Sequence, residues 1–407
     1  MAVLLLGTLD TKGEEYALVR DLIVRAGQDV VLMDTGVMGA SALAADVPAE
    51  AVARAAGTDL DRLRSAGDRG AALAAMAAGA TAVAKELHAR GGLGGVLALG
   101  GSGGSSIAAA VMRALPVGLP KLLVSTMVSG DVSAYVGETD VTLMYSVVDV
   151  AGVNSISRRI LANAAAAISA MAASYDAGAE PSGADKPLVA ATMFGVTTPA
   201  VDAARARLES LGYEVLVFHA TGSGGRAMEA LAAGGHFAGV LDLTTTELAD
   251  ELVGGVLSAG PDRLTAAGNA GVPQVVSLGA VDMVNFGPME TVPDRFRSRQ
   301  LLVHNPTVTL MRTTPAENAE IGRAIGERLA RASGPVTLFV PRGGVSAVDV
   351  EGGPFHDPRA DAACFDAVLA AVAGSPVEVV QSDQDINSAE FAVAAADRLH
   401  QLIQKGA

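Results

Sequence analysis

Residues 93–115, LGGVLALGGSGGSSIAAAVMRAL, decide the fold class. An apolar run, Val96–Leu99, ends in a cluster of glycines and serines, and an alanine-rich segment follows directly. This order is typical of a buried strand, a tight turn and a helix. Short β-rich runs, among them Val3–Leu6, Leu188–Met193 and Gln300–His304, alternate with longer helical stretches along the whole chain. The alternation predicts βαβ units and parallel sheets.

Composition excludes several classes of protein. Half of the 407 residues are apolar and 18% are charged, which excludes a disordered chain. The longest nearly apolar run, Ile160–Ala173, is shorter than the ~20 residues that span a bilayer. The net charge of −15 argues against general nucleic-acid binding, although backbone amides can still bind one small phosphate ligand.

The single cysteine, Cys364, excludes a disulfide framework and a multi-cysteine zinc site. Residues Met1–Gly7 lack a basic region and run into Asp10 and Glu14, so they are predicted to be a first strand and not a signal peptide. We therefore expect a cytoplasmic protein without a membrane partner.

The segment Ser174–Pro187 is rich in Gly, Pro, Ser and Asp and has no apolar period, which predicts a linker. The expected organisation is a domain at 1–175, a linker at 176–187 and a domain at 188–407. The two halves also resemble each other, since residues 4–36 and 189–222 share the order strand, Thr-bearing turn, helix, Gly, strand. Two explanations of this similarity remain open. One is that any two βαβ units look alike. The other is that a duplication produced two Rossmann-like, doubly wound α/β domains that face each other across a cleft.

Ligands of open parallel sheets bind outside the carboxyl ends of the strands. The strongest such segment is the glycine-rich loop, comprising Gly100, Gly101, Ser102, Gly103, Gly104 and Ser105. Glycines let the backbone approach an anion, and the N-terminus of the following helix favours negative charge. The segment fits neither the P-loop pattern nor the GxGxxG fingerprint. The alternative is a tight strand–helix turn with a helix cap.

Other predicted strand ends of the first domain add polar residues to this candidate site. They are Asp10 and Lys12 in the first loop, and Ser125, Ser129 and Asp131 in a later one. Lys12 is suited to neutralise a phosphate, and Asp10 to hold a metal or a ribose hydroxyl. Asp131 and Asp140 are candidates to assist a magnesium ion. The alternative for Asp10 is a helix N-cap in a solvated turn.

The second domain carries residue types common in catalysis. His219 ends a predicted strand beside the glycine-rich sequence TGSGG, which suits a general acid or base. Asp242 and Glu247 supply carboxylates on a neighbouring loop, and Arg342 offers a guanidinium for an acidic substrate. His304 is a second histidine at a predicted strand end. The alternative for Thr244–Glu247 is a capping box of the next helix.

Several long motifs resemble one known family: TLDTKG, LGGSGG, SVVDVAGVNSISRRILANAA, FHATGSGGRAMEAL, LDLTTTELADEL and HNPTVTLMRTTP. It is the family that includes the ATP-binding N-terminal region of the tomato tobamovirus-resistance protein. The resemblance covers essentially the whole chain. It implies two Rossmann-like domains, a homodimer, and ATP with Mg²⁺ in the N-terminal domain, held by Asp10, Lys12 and the glycine-rich loop. It transfers no role to the C-terminal residues, and viral inhibition depends on a viral partner.

Three functions remain open. The first is a nucleotide-binding protein that holds Mg-ATP on the glycine-rich loop. The second is a metabolic lyase or hydrolase in which His219, Asp242, Glu247 and Arg342 act on a phosphorylated or carboxylated sugar acid in the interdomain cleft. The third is a non-catalytic ligand sensor, and the sequence does not decide whether the protein is an enzyme.

Overall fold

A computed structural model describes residues 1–178 and 186–406. The chain divides into two compact units, Met1–Ser182 and Gly183–Ala407. Most of the predicted linker, residues 179–185, lies outside the described residues. Each unit is an α/β domain built on a parallel sheet, so the predicted fold class is confirmed.

The first domain contains a five-stranded sheet of order β2-β1-β3-β4-β5, in which every pair is parallel. Its strands are β1 (Ala2–Gly7), β2 (Asp29–Asp34), β3 (Leu93–Gly100), β4 (Lys121–Ser125) and β5 (Thr142–Tyr145). Its helices are α1 (Leu9–Arg25), α2 (Ala49–Ala55), α3 (Leu60–Ala66), α4 (Arg69–Ala89), α5 (Ser102–Arg113), α6 (Ser133–Val136) and α7 (Ser155–Asp176). A 3₁₀ turn spans Thr126–Ser129.

Alternation along β1 divides its buried side chains between two apolar layers. Leu4 and Leu6 pack with residues of α4 and α5, whereas Val3 and Leu5 pack with residues of α1 and α7. Helices therefore cover both faces of the sheet. From β1 the chain first continues to β2 on one side of it and then crosses to β3 on the other side. The strand order therefore reverses between β1 and β3, and this is the topological switch point of the sheet.

The second domain contains a six-stranded parallel sheet of order β14-β13-β9-β8-β6-β7 and a three-stranded antiparallel sheet of order β10-β12-β11. Its strands are β6 (Leu188–Met193), β7 (Glu214–His219), β8 (Gly239–Thr244), β9 (Gln274–Gly279), β10 (Met283–Phe286), β11 (Leu301–Asn305), β12 (Val308–Arg312), β13 (Val336–Pro341) and β14 (Glu378–Ser382). Its helices are α8 (Thr198–Ser210), α9 (Ser223–Ala233), α10 (Thr246–Val253), α11 (Ala266–Asn269), α12 (Pro315–Ala330), α13 (Pro358–Val372) and α14 (Ala389–Gly406).

The small antiparallel sheet differs from the expectation. Residues Gln300–His304 were expected to add a strand to the βαβ series, but β11 instead forms a hairpin with β12. The turn is closed by Asn305, whose side chain accepts the backbone N–H of Thr307 at 2.9 Å. An Asx turn of this kind joins adjacent antiparallel strands without a crossover helix. Among residues 1–178 and 186–406, no helix is both long and apolar enough to cross a membrane.

Candidate functional site

The switch point of the first domain is shaped by Tyr16 of α1. Its buried hydroxyl lies 2.7 Å from the carbonyl oxygen of Leu6 and accepts the backbone N–H of Leu99 at 2.9 Å. The pairing of β1 with β3 ends just before this point, at Leu6 and Ala98. A Cβ on Gly7 would lie 1.8 Å from the hydroxyl oxygen, so only glycine fits there. Tyr16 therefore separates the carboxyl ends of β1 and β3, a role that nothing in its sequence context indicates.

The glycine-rich loop is shorter than the sequence suggests. Gly101 is the only residue between β3 and α5, and Ser102, Gly103 and Gly104 already belong to the first turn of the helix. The amide of Ser105 donates to the carbonyl of Gly101 at 2.9 Å. Among the described residues, none accepts a hydrogen bond from the amides of Ser102, Gly103 or Gly104. Three free N–H groups thus stand at the positive end of the α5 dipole, beside the switch point.

Arg69 lies next to this helix terminus. A Cβ on Gly103 would be 3.7 Å from Nη2 of Arg69. Arg69 is exposed, and within the described part of the chain its guanidinium has no ion-pair partner. Arg69 is the first residue of α4 and lies about thirty residues before the glycines in the chain. Only the packing of α4 against α5 brings it to the site, so the sequence did not indicate it.

The predicted serines divide into two groups. Ser105 and Ser125 are fully buried, and their hydroxyl oxygens lie 2.6 Å apart in a mutual hydrogen bond. Ser125 also accepts the backbone N–H of Met127 at 3.0 Å. These two hydroxyls connect α5 to the end of β4, and they do not reach solvent. Ser129 is exposed at the end of the 3₁₀ turn that follows β4.

Lys12 and Asp10 both have protein partners. The Lys12 ammonium donates to the carbonyl of Val150. The backbone of Lys12 is not helical (φ −132°, ψ 28°), and α1 is kinked at this residue. Asp10 lies in the first turn of α1 and is not the N-cap; its Oδ2 accepts the amides of Met38 at 2.9 Å and Gly39 at 3.2 Å. Its Oδ1 is buried and has no hydrogen-bond partner among the described residues.

The two other candidate metal ligands lie apart from each other. Asp131 is exposed, and the amide of Ser133 donates to it at 2.9 Å, which lowers the pKa of its carboxyl. Asp140 accepts the buried ammonium of Lys121, the first residue of β4, at 2.7 Å. Asp140 therefore lies at the amino ends of the strands, opposite the end that carries the glycine-rich loop, and is not placed to assist a magnesium ion there. Within the described ranges, no group of three or more Asp, Glu, His or Cys side chains is arranged to hold a metal.

The glycine-rich turn of the second domain already holds an anion, the carboxylate of Glu247. Its Oε1 accepts the amides of Gly222 at 2.7 Å and Gly225 at 3.1 Å, at the start of α9. A Cβ on Gly225 would lie 2.2 Å from Oε2 of Glu247. The capping box considered for Thr244–Glu247 is absent, since α10 begins at Thr246 without a side-chain cap. Glu247 thus occupies two amides of this terminus, whereas no described residue accepts the amides of Ser223 and Gly224.

Arg263 organises a buried ionic network that sequence reasoning missed. Its guanidinium is fully buried and donates to both carboxylate oxygens of Asp242, at 2.5 and 2.8 Å. It also donates to Glu247 at 2.7 Å and to Glu229 at 3.2 Å. These carboxylates raise the pKa of Arg263, which keeps it charged. Asp242 and Glu247, predicted to be catalytic, are fully buried partners of this guanidinium and have no access to solvent.

The remaining catalytic candidates are exposed but separated. His219 is the last residue of β7 and Arg342 follows β13. Four strand spacings lie between β7 and β13, which corresponds to about 19 Å. His304 is also exposed, and its Nε2 would lie 3.9 Å from a Cβ on Gly195. The fold therefore does not assemble His219 and Arg342 with Asp242 and Glu247 into one site.

Comparisons with known proteins cover the whole chain. The N-terminal domain of an uncharacterised protein family, UPF0261, matches residues 1–177, and the C-terminal domain of the same family matches residues 186–403. A UPF0261 protein of Clostridium tetani is 50% identical over 403 residues, 99% of each chain. A UPF0261 protein of Rhizobium meliloti is 49% identical over 394 residues, 97% of each chain.

The tomato ToMV resistance protein Tm-1(GCR237) is 45% identical over 317 residues, which are 77% of this chain and 42% of the tomato protein. Among solved structures, a Streptomyces glycosyltransferase in complex with thymidine diphosphate aligns over 99% of both chains, at 13% identity and a TM-score of 0.17. That score is too low to carry an argument. The two matching domains and the relatives of near-equal length show that the chain belongs to the uncharacterised protein family UPF0261.

Proposed function

We propose that the protein binds a nucleotide, ATP with Mg²⁺, through the phosphates at the N-terminus of α5. The observation that carries this proposal is the set of three unbonded amides at Ser102, Gly103 and Gly104, at the switch point where doubly wound sheets bind ligands. The second domain supplies a contrast, because there a carboxylate of the protein, Glu247, already accepts two amides at the equivalent helix terminus. A helix terminus that the protein does not satisfy itself is available to an external anion.

The residues around the site fit a phosphate chain and its cation. Arg69 adds a positive charge beside Gly103. The buried, unpartnered Oδ1 of Asp10 is suited to bind Mg²⁺, which usually takes one or two carboxylates together with phosphate oxygens. When bound, the ion neutralises phosphate charge. In this proposal Lys12 acts on the site indirectly: its ammonium donates to the carbonyl of Val150, and this contact shapes α1. A homodimer is part of the same proposal and is supported by the family resemblance. A cytoplasmic location is also part of the proposal and comes from the sequence expectation alone.

The test changes only charge at the helix terminus. Ser102→Asp places a carboxylate at the first position of α5, and Ser102→Asn has nearly the same shape without the charge. Two unit charges about 4 Å apart repel by ~1 kcal/mol in water and ~4 kcal/mol near a protein surface. For exposed Ser102 we take ~2 kcal/mol, which is a loss of about 30-fold in affinity.

Isothermal titration calorimetry with Mg-ATP measures this difference. We expect Ser102→Asp to weaken binding about 30-fold relative to Ser102→Asn, while its melting temperature stays the same or rises, since an acidic residue at a helix N-terminus is stabilising. Equal affinity of the two variants for Mg-ATP would contradict the proposed site.

A second candidate function is a lyase or hydrolase that acts on a phosphorylated sugar acid. The exposed imidazole of His219 at a strand end favours it, and the α5 amides would accept any phosphate. Asp242 and Glu247 are not available for its chemistry, because both pair with Arg263. Melting shifts measured with ATP, sugar acids and sugar phosphates separate the two candidates. Ligand binding without turnover of any of these compounds would favour a sensor.

A further inference from the structure

A cavity of about 620 Å³ opens at the carboxyl end of β2. Its walls are Asp34 at the end of the strand, residues 38–41 and 43–45, the first turn of α2, and Leu60 and Arg64 of α3. This volume lies within the range of small-molecule sites. None of the residues predicted to bind the ligand lines it, so it is an additional feature of the same domain.

The lining of the cavity suits hydroxyl groups and an apolar surface. Leu43, Ala45 and Leu60 form the apolar wall, Asp34 and Glu50 contribute two carboxylates, and Arg64 contributes one guanidinium. Carboxylates accept hydrogen bonds from hydroxyls and repel phosphates. Glu50 is exposed in the first turn of α2 and has no hydrogen-bond partner among the described residues. Two carboxylates against one guanidinium leave the lining with a net negative charge, so hydroxyl groups of a sugar or nucleoside fit it better than a phosphate.

The wall of the cavity is fixed from two sides. Asp10 of α1 accepts the amides of Met38 and Gly39, and Arg64 of α3 donates to the carbonyl of Val37 at 2.6 Å. A Cβ on Gly36 would lie 2.5 Å from Oδ1 of Asp10, so the chain passes close to this carboxylate. The cavity is therefore formed before any ligand binds, which lowers the entropic cost of binding.

The cavity and the α5 terminus lie on opposite sides of β1. Met33 and Ala98 both pair with Leu6, so the carboxyl ends of β2 and β3 are level. Two strand spacings separate them, which is about 10 Å. Asp10, in the first turn of α1 directly after β1, lies between the two sites. A phosphorylated polyol is long enough to reach from the cavity to the free amides.

We propose that this cavity binds the polyol end, with any attached base, of the ligand whose phosphate binds at α5. The inference rests on the proposed function and extends it to a ligand class, a phosphorylated polyol, either a nucleotide or a sugar phosphate. Charge decides which part of the ligand binds where: the cavity, with two carboxylates and one guanidinium, binds the hydroxyls and the base, and the α5 amides with Arg69 bind the phosphate.

The test fills the cavity and leaves the phosphate site intact. Ala44→Trp places a large side chain at an exposed position that lines the cavity. Ala42→Trp is the matched control, because Ala42 is exposed on the same segment but does not line the cavity. Both variants and the unmodified protein are titrated by calorimetry with Mg-ATP, ribose 5-phosphate and tripolyphosphate. Equal melting temperatures of the two variants show that both are folded.

We expect Ala44→Trp to weaken Mg-ATP binding at least tenfold, with tripolyphosphate affinity unchanged, and Ala42→Trp to change neither. The same pattern with ribose 5-phosphate in place of ATP would support the cavity and identify a sugar phosphate as the ligand. Unchanged ATP affinity in Ala44→Trp would overturn the cavity inference and leave the phosphate site standing. Failure of all three probes to bind the unmodified protein would overturn both proposals.

Discussion

Replacement of Arg263 by Met will destabilise the second domain strongly. The side chain is fully buried and is the shared cationic partner of Asp242, Glu247 and Glu229. Methionine preserves much of the side-chain length but removes the charge and every donor. Two fully buried carboxylates then lose their cation, and breaking a buried ion pair in this way costs about 3–5 kcal/mol.

The expected shift in melting temperature follows from the size of the domain. One kcal/mol lowers the melting temperature by roughly 2–4 °C in a domain of about 200 residues, so the predicted loss is about 6–20 °C. The matched control is Arg323→Met. Arg323 is half exposed on α12, and its ion-pair partners among the described residues are Glu320 and Glu327, which together contribute ~0.5 kcal/mol.

Thermal denaturation followed by circular dichroism measures the loss for both variants. Hydrogen exchange with mass spectrometry assigns it to a domain, because exchange should accelerate in residues 186–406 and stay unchanged in residues 1–178. If Arg263→Met loses no more stability than Arg323→Met, or if both domains lose protection equally, the role assigned to the network is wrong.

Three further predictions concern stability. Burial raises the pKa of Asp250 to about 7, so the folded state retains a proton that the unfolded state releases near pH 4. The free energy of unfolding should therefore fall as pH rises from about 4 to 7. Urea titrations at several pH values measure this slope, and Asp250→Asn should flatten it. Tyr16→Phe should cost ~1–3 kcal/mol by leaving buried backbone groups of the switch point without a partner, and hydrogen exchange should detect this in the first domain alone. Gly225→Ala should lower the melting temperature by several degrees because its Cβ meets a carboxylate, whereas Gly101→Ala, whose nearest contact is at 3.7 Å, should be neutral.

Local signals account for the features that were predicted correctly. The period of apolar residues and the glycine and threonine boundaries predict alternating strands and helices, because backbone sterics and hydrogen bonding act over a few residues. The glycines after β3 predict the close strand–helix turn at α5, and there the amides are free. Glycines also start α9 at Gly222–Gly225, and there two of the amides bind the side chain of Glu247, which the local sequence does not indicate.

The sequence by itself determined that this protein is a parallel α/β chain with two glycine-rich helix starts, since these properties depend on neighbouring residues. Only the tertiary structure decided which start already binds a carboxylate of the protein. Glu247 reaches Gly222 from another helix, Lys12 is bound by Val150, and Arg69 approaches Gly103 across the packing of α4 on α5. Each contact joins residues far apart in the chain, and whether a polar group is satisfied or free depends on which distant groups the fold brings within hydrogen-bond distance.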